Sequence, residues 1–219
     1  MNALSITAVN PGEEVEISVS LSAPSSPGIY KGYWTLRSGR SGKNFEQDLY
    51  VEIEVVKLSG DAQNFAGQMC AASWTGDGNP IPCFGSPSDP HGYVSYSDAP
   101  AMENGGQDDE PSLVVSLPGQ AGSQIVGRYP AMVVQPGSHF RGVFGCYDQA
   151  AACNVRLLVT YQVNNGSELI LGEWVETYDG NFTRIDIDLD AANLDNQQVK
   201  FNLYFSANGA SEENKIYCI

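Results

Sequence analysis

Basic residues are scarce in this chain of 219 residues. It has 11 lysines and arginines against 26 aspartates and glutamates, which gives a formal net charge of −15 at pH 7. The imbalance lies in residues 58–219, where 19 acids and six bases leave a charge of −13. A surface this acidic repels phosphate groups, so we expect neither nucleic acid nor an anionic membrane as a partner.

Catalytic motifs and long apolar runs are also lacking. The two histidines, His91 and His139, do not have zinc-site spacing, no Cys-x-x-Cys is present, and no serine lies in a Gly-x-Ser-x-Gly motif. No apolar run reaches the roughly 20 residues that a membrane helix needs. The sequence therefore predicts a protein that is not an enzyme, needs no catalytic cofactor and does not insert into a membrane.

Alternating runs of apolar and polar residues are what the sequence does contain. They cover residues 155–163, 173–180, 185–189 and 199–205, and such alternation is typical of strands with one buried and one solvated face. Turn residues such as Asn-Asn-Gly and Asp-Gly separate the runs. With 23 glycines, 12 prolines and no long helical period, the pattern predicts an all-β fold of two antiparallel β-sandwich units.

We predict that residues 1–57 form the first unit, with alternating strands at 15–21, 30–36 and 49–55. The segments Val9-Asn-Pro-Gly-Glu-Glu-Val and Gly28-Ile-Tyr-Lys-Gly-Tyr-Trp-Thr-Leu-Arg resemble the C-terminal half of the NBR1-type, four-tryptophan immunoglobulin-like domain. The resemblance implies a non-catalytic interaction module and a partial sandwich. Its apolar face and open strand edges would then need a cover from residues 58–219, another copy or a partner strand.

We predict that residues 58–64 form a linker and that residues 65–219 form a second sandwich. The second sandwich resembles jelly-roll modules of bacterial surface proteins, akin to galactose-binding-like and carbohydrate-binding sandwiches. The stretches that carry this resemblance are 101–105, 125–130, 134–140, 178–180 and the strand pair 185–189 and 199–201. The resemblance implies a binding function.

The long Gly-, Pro- and Asp-rich segment 75–111 suggests a ligand site, because long irregular loops are often functional. Trp74 borders this segment, and His91, Tyr93 and Tyr96 lie within it. Aromatic rings can stack on the apolar C–H faces of sugars while polar groups hold the hydroxyls. We predict these four as ligand-binding residues. The alternative is that their rings pack the loop onto the sandwich.

Acidic and amide residues crowd the same segment and suggest calcium, which prefers six to eight oxygen ligands. The alternative is ordinary solvated loop acids. The residues concerned are Asp77, Asn79, Asp89, Asp98, Glu103, Asn104, Asp108, Asp109 and Glu110.

The five cysteines form two pairs that are close in sequence, Cys70 with Cys83 and Cys146 with Cys153. Turn-forming residues lie between the members of each pair, which favours local disulfides and hence an oxidising, extracellular or cell-surface location. Free thiols in a cytosolic protein are the alternative. Cys218 is left over, as either a buried thiol or an intermolecular link.

These observations predict a non-catalytic extracellular recognition or adhesion protein. It would bind a glycan or a surface protein through loops of the second sandwich. The alternative is a structural subunit, a homo-oligomer or polymer that forms a filament or layer by strand complementation of the incomplete first domain.

Overall fold

The computed structural model describes residues 28–55, 63–107, 110–211 and 213–218, and the single positions 9, 10, 12, 13, 15 and 24. All regular structure in these residues is β-strand, apart from one 3-10 turn at Met69–Ala71. The chain divides into two compact units, Met1–Ser59 and Gly60–Ile219. The predicted all-β, antiparallel fold class is confirmed. In the described part of the chain, no helix is long and apolar enough to cross a bilayer.

The described strands of the first unit form an antiparallel ribbon. Strand β1 (Gly28–Arg37) pairs with β2 (Asn44–Val55), with a register irregularity between Thr35 and Arg37. The half-buried Trp34 ring covers Gly32, where an added Cβ would lie 2.7 Å from the ring atom Cη2. Glycine is therefore required for this ring position. The predicted strand at 15–21 lies outside the described residues, except for Val15.

The second unit is built from two antiparallel sheets. The first has seven strands: β11 (Glu168–Thr177), β10 (Asn154–Val163), β13 (Gln198–Ala207), β7 (Gln124–Arg128), β3 (Ser73–Gly76) and β4 (Asn79–Ile81) follow in that order, and β8 (Met132–Val133) also pairs with β13. The second has five strands, in the order β12 (Thr183–Asp188), β9 (His139–Cys146), β14 (Lys215–Cys218), β6 (Ser112–Ser116) and β5 (Tyr93–Ser97).

The inner faces of both sheets supply one apolar core. Phe144 of β9 and Phe205 of β13 are completely buried, and for Phe205 the alternation of residues 199–205 predicts this inward position. An aromatic group joins the two sheets at one end of the core, since Phe65 packs at ring-centroid distances of 5.4 Å from Phe140 and 5.9 Å from Phe201. Such aromatic pairs contribute about 0.5–1.5 kcal/mol each beyond their buried area.

Two disulfides close loops of the second unit. Cys70 is joined to Cys83 with a Cα–Cα distance of 5.2 Å, and Cys146 to Cys153 with a Cα–Cα distance of 6.2 Å. These are the two local pairs that the sequence predicts. Cys218 belongs to β14, and its side chain lies outside the described part of the structure.

Candidate functional site

The four aromatic and histidine residues predicted as a ligand site do not form a common surface. Trp74 is only 3% exposed, and its indole Nε1–H donates a hydrogen bond of 2.8 Å to the Met69 carbonyl. A ring enclosed in this way cannot stack on a ligand unless the core opens. Trp74 is therefore a core residue, and its prediction as a ligand contact has to be corrected.

The other three predicted residues are distributed around β5. Tyr93 and Tyr96 are three positions apart in this strand, so their side chains point to opposite faces. Gly85 packs against Tyr93, where an added Cβ would approach the Tyr93 Cβ to 2.6 Å. The half-buried His91 lies 3.3 Å from the Asn79 amide nitrogen through its Nδ1 atom. Tyr96 is 36% exposed, and a ligand role for these three residues stays a prediction.

The outer face of the seven-stranded sheet is a different surface. Polar side chains from neighbouring strands lie side by side across it. Thr160 of β10 lies opposite Asn202 of β13, Asn202 opposite Arg128 of β7, and Arg128 opposite Ser73 of β3. Directly opposite residues in antiparallel strands share a face. Together with Glu168 of β11 they form what we call the polar row. At the usual strand spacing, a row across five strands is roughly 19 Å long.

Glu168 belongs to the row because the register of β11 shifts. The pairing changes between Val159, opposite Gly172, and Thr160, opposite Ile170, so β11 carries the extra residue Leu171. Beyond that point Glu168 lies opposite Gln162 on the outer face, from where its carboxylate reaches back over β10.

Hydrogen bonds hold the centre of the polar row in place. The Glu168 Oε1 atom accepts hydrogen bonds from the Tyr204 hydroxyl at 2.7 Å, from the Asn202 amide at 3.0 Å and from the Thr160 hydroxyl. The Asn202 amide also donates to the Thr160 hydroxyl at 3.2 Å. At the far side of the row, the Arg128 guanidinium donates to the Thr75 hydroxyl at 3.4 Å. The polar groups of the row thus orient one another through hydrogen bonds.

The electrostatics of the row keep Glu168 ionised. Burial alone would raise the pKa of its carboxyl group, but hydrogen bonds from Thr160, Tyr204 and Asn202 and the charge of Arg128 outweigh burial and lower it. Burial raises the pKa of the Tyr204 hydroxyl, and its hydrogen bond to Glu168 raises it further. At neutral pH the row therefore offers a carboxylate, a guanidinium, an amide and neutral hydroxyl groups.

A second, mainly apolar row runs beside the polar row. Leu158 of β10 lies opposite Tyr204 of β13, and Tyr204 opposite Val126 of β7. Leu158 and Tyr204 are half-buried, and Val126 is buried. On the edge strand, Ile170 also points outward, opposite Thr160, and is 65% exposed. Hydrogen-bonding groups and apolar surface therefore lie side by side on this face.

The polar row borders a hollow of about 390 Å³, within the size range of small-molecule binding sites. Lys200 and Gln162 join Glu168, Asn202, Arg128 and Ser73 in its lining. The Lys200 ammonium is 3.0 Å from the Asn165 side-chain oxygen. Three of the six basic residues of the second unit, Arg128, Arg156 and Lys200, lie on outward positions of this sheet, a local concentration of cations in a strongly acidic protein.

A separate group of carboxylates lies where β11 ends. Glu103 and Glu176 are each only 4% exposed, and their carboxylate oxygens and one of Asp179 lie within 4.8 Å of one another. Glu103 accepts backbone hydrogen bonds from Cys146, Asp179 and Gly180 at 2.8–3.1 Å. No ion pair in the described part of the structure joins either glutamate to a lysine or arginine.

Burial raises the pKa of Glu176, a hydrogen bond from Thr183 opposes this, and the nearby charge of Glu103 raises the pKa further. Two enclosed carboxylates, whose hydrogen bonds come from backbone amides and from the Thr183 side chain, are the kind of oxygen-rich group that calcium prefers. The sequence placed Glu103 among the candidate calcium ligands but did not point to Glu176 or Asp179.

Residues 1–55 match a family model described as the Ig-like domain from next to BRCA1 gene. A comparison with curated proteins gave no match. Among solved structures, one described in work on the promiscuous specificity of carbohydrate-binding modules of the β-sandwich superfamily aligns at 14% identity and a TM-score of 0.45, covering 88% of this chain and 72% of that one.

Two further structures align more weakly. TmCBM61 in complex with β-1,4-galactotriose aligns at 11% identity and a TM-score of 0.42, covering 73% of this chain and 94% of that one. A family 11 carbohydrate-binding module from Clostridium thermocellum, in complex with a β-1,3-1,4-mixed-linked tetrasaccharide, aligns at 12% identity and a TM-score of 0.34. It covers 58% of this chain and 79% of that one.

Proposed function

We propose that this protein is a non-catalytic glycan-binding protein and that its ligand lies along the polar row of the second unit. The observation that carries the proposal is the fixed arrangement of Glu168, Thr160, Asn202 and Arg128 beside the ring of Tyr204. A sugar presents hydroxyl groups and apolar C–H surface together. The polar row can hydrogen-bond to the hydroxyl groups, and the adjacent, mainly apolar row can pack against the C–H surface.

The arrangement favours binding because its groups are ordered before a ligand arrives. Holding the Asn202 amide and the Glu168 carboxylate in place reduces the entropy lost on association. Hydrogen bonds from sugar hydroxyls to an ionised carboxylate are stronger than those between neutral groups. The row crosses five strands, so its shape suits an extended chain of sugar units.

The charge state of Glu168 argues against glycoside hydrolysis on this face. A glycosidase needs a carboxylic acid with a raised pKa to protonate the leaving group. The pKa of Glu168 is lowered instead, and Glu173, the next outward acid on β11, is paired with Arg156 at 2.6 Å. Within the described residues of the hollow, no carboxyl group has the properties of a general acid.

The two disulfides support an extracellular or surface location, because such bonds persist mainly in oxidising compartments. A protein outside the cell would meet glycans of surfaces and matrices, or surface glycoproteins. We therefore also propose that the protein lies outside the cell or at its surface.

Binding to a glycan array, followed by calorimetry with the best ligand, tests the site. Arg128→Ala and Asn202→Ala should each weaken binding by about tenfold or more, since Asn202→Ala removes hydrogen bonds at the centre of the row and Arg128→Ala removes the guanidinium donors beside it. Tyr96→Ala serves as the matched control on the other sheet. If Tyr96→Ala abolished binding and the two row variants did not, the ligand would bind at the loops beside β5 and the polar row would be refuted.

We also propose a structural calcium ion bound by Glu103, Glu176 and Asp179. Bound calcium would neutralise two enclosed carboxylates and connect the end of β11 to the segment around residue 103. Calcium should therefore raise the melting temperature, a chelator should reverse the increase, and Glu176→Gln should abolish it. Asp98→Asn, in the same long loop region, is the control. A melting temperature that does not respond to calcium or to chelator would contradict the site.

A structural subunit is the second candidate function, and one observation favours it. Trp34, Leu49 and Val51 share one face of the β1–β2 ribbon, and Leu49 and Val51 are 46% and 42% exposed. Exposed apolar patches often mark interaction sites. Sedimentation with increasing concentration tests this candidate: association that Leu49→Lys prevents would support it, and a protein that stays monomeric would exclude it.

A further inference from the structure

Two basic side chains line the hollow beside the polar row, and each is hydrogen-bonded to a neutral group. The Lys200 ammonium lies 3.0 Å from the Asn165 side-chain oxygen, and the Arg128 guanidinium donates to the Thr75 hydroxyl at 3.4 Å. Among the described residues, no carboxylate forms an ion pair with either cation. Residues 58–219 contain 19 acids, so this arrangement is a property of the hollow and does not follow from the composition.

Two other basic side chains of the second unit are paired with carboxylates. Arg156 lies 2.6 Å from Glu173 on the same outer face, and Arg141 lies 3.2 Å from Asp186 on the other sheet. Their positive charges are neutralised within the protein. The two cations of the hollow are not neutralised in this way, and both are within reach of a ligand that enters it.

Glu168 is the one carboxylate in the described lining of the hollow. Its Oε1 atom already accepts hydrogen bonds from three neighbouring side chains of the sheet. The charge of Arg128 acts on Glu168 and contributes to its lowered pKa, although the two groups form no ion pair. Two positive charges against one negative charge leave the lining with an excess of one positive charge. A single anionic group of a ligand would balance this excess.

The two charged ends of the row favour different groups of a ligand. Arg128 belongs to β7 and Glu168 to β11, with β13 and β10 between these strands. A guanidinium is a planar fork that can donate to both oxygens of a carboxylate. Glu168 repels a carboxylate and accepts hydrogen bonds from hydroxyl groups. A ligand that follows the row therefore fits with a carboxylate at β7 and with hydroxyl groups towards β11.

We infer that the glycan bound along the polar row contains a uronic acid unit, and that the carboxylate of this unit binds the Arg128 guanidinium. The inference rests on the proposed function and names the class of its ligand. Lys200 lines the same hollow and adds a second positive charge, which attracts the carboxylate without the geometric demands of a guanidinium. The adjoining sugar unit directs a hydroxyl group to Glu168.

The charge of the whole second unit limits how acidic the ligand is. Residues 58–219 hold 19 acids and six bases, a net charge of −13, which repels a chain with an anionic group on every sugar unit. Charges further away than about 8 Å are largely screened at physiological ionic strength, so one carboxylate in the hollow is governed by the two cations beside it. The ligand class is therefore a mainly neutral glycan with isolated uronic acid units.

The test compares oligosaccharides that contain one glucuronic or galacturonic acid unit with their carboxyl-reduced forms, in which a hydroxymethyl group replaces the carboxylate. Both forms are presented to the full chain on an array and then titrated by calorimetry. Reduction should weaken binding about tenfold or more, because the charge-assisted hydrogen bonds to the guanidinium are lost. Equal affinity for both forms would overturn the inference; the proposed function would stand if Asn202→Ala weakened both. Binding of neither form would refute the inference and the proposed function together.

Variants of the basic residues test where the carboxylate binds. Arg128→Gln should abolish the preference for the acidic form, and Arg128→Lys, which keeps the charge but not the fork, should restore only part of it. Lys200→Gln should weaken binding of the acidic form about threefold more than binding of the reduced form. Arg184→Gln removes an exposed basic side chain from β12 on the other sheet and should leave the preference unchanged. A preference that survives Arg128→Gln, or that Arg184→Gln also abolishes, would overturn the inference.

Discussion

Replacing Glu168 with glutamine isolates the contribution of its charge. Thr160, Asn202 and Tyr204 donate hydrogen bonds to this carboxylate, and its pKa in the folded protein is lowered. A lowered pKa means that the ionised form stabilises the fold. This contribution is complete above the pKa of the unfolded chain, about 4.3, and is lost as the pH falls through the folded-state value.

The expected magnitude is small because the Glu168 residue is exposed at an edge strand, where solvent screens its charge. Glu168→Gln should reduce the free energy of unfolding by about 0.5–1 kcal/mol at pH 7. For a unit of this size, that corresponds to a fall in melting temperature of about 2 °C. Below pH 4 the difference should shrink, since the wild-type carboxyl group becomes neutral as well.

Thermal denaturation at pH 7, 5 and 3 measures this difference. Asp195→Asn removes one exposed carboxylate elsewhere in the unit and corrects for the change in net charge. A difference between wild type and Glu168→Gln that stays constant from pH 7 to pH 3 would refute the assignment of an ionised Glu168. Glycan binding by the variant should weaken at pH 7 and approach the wild-type value at pH 3.

Three further variants test the core and the loops of the second unit. Trp74→Phe should lower the free energy of unfolding by about 2–3 kcal/mol, because it leaves a cavity in the core and removes the indole donor of the Met69 carbonyl, which keeps only the Ala72 N–H; no change in denaturant unfolding would contradict the buried ring. Gly127→Ala should destabilise by about 1–3 kcal/mol, since the new Cβ would lie 2.4 Å from the Trp74 ring; equal stability would mean that the ring can move. The double variant Cys70→Ser and Cys83→Ser should cost about 3 kcal/mol in the same assay; under reducing conditions that open both disulfides, wild type and variant should unfold alike, and a difference that remains would contradict the assignment of the effect to this disulfide.

The strands that the sequence predicted best are those with one face in the core. In β10 and β13 the inward residues, such as Val155 and Phe205, are buried and alternate with less buried ones, except at Thr160 and Asn202, which are buried on the outer face. This pattern arises because burial on one face demands apolar residues at every second position. The predicted fold class follows from such strands alone.

The candidate site could not be predicted from the same pattern. On the outer face, Thr160 and Asn202 look like ordinary solvated positions of their own strands. They become neighbours only through the pairing of β10 with β13, across 42 residues of chain. A sequence without known register does not contain this information. Trp74 was misassigned for a related reason, since a tryptophan between a strand and a long irregular segment can face either the core or solvent.

The unpaired residue Leu171 in β11 sets which side chains the end of this strand directs outward. Side chains alternate along a regular strand, so one unpaired residue between Gly172 and Ile170 exchanges inside and outside for everything beyond it. In an uninterrupted register, with Leu171 opposite Thr160, Leu169 would face outward and Glu168 would face the core. Deleting Leu171 would remove the bulge but keep Ile170 opposite Thr160 and Glu168 opposite Gln162. The outward side chains of this strand end therefore depend on its register and not on its length, and a slip of the register would put a water-repelling edge where the strand now presents a negative charge.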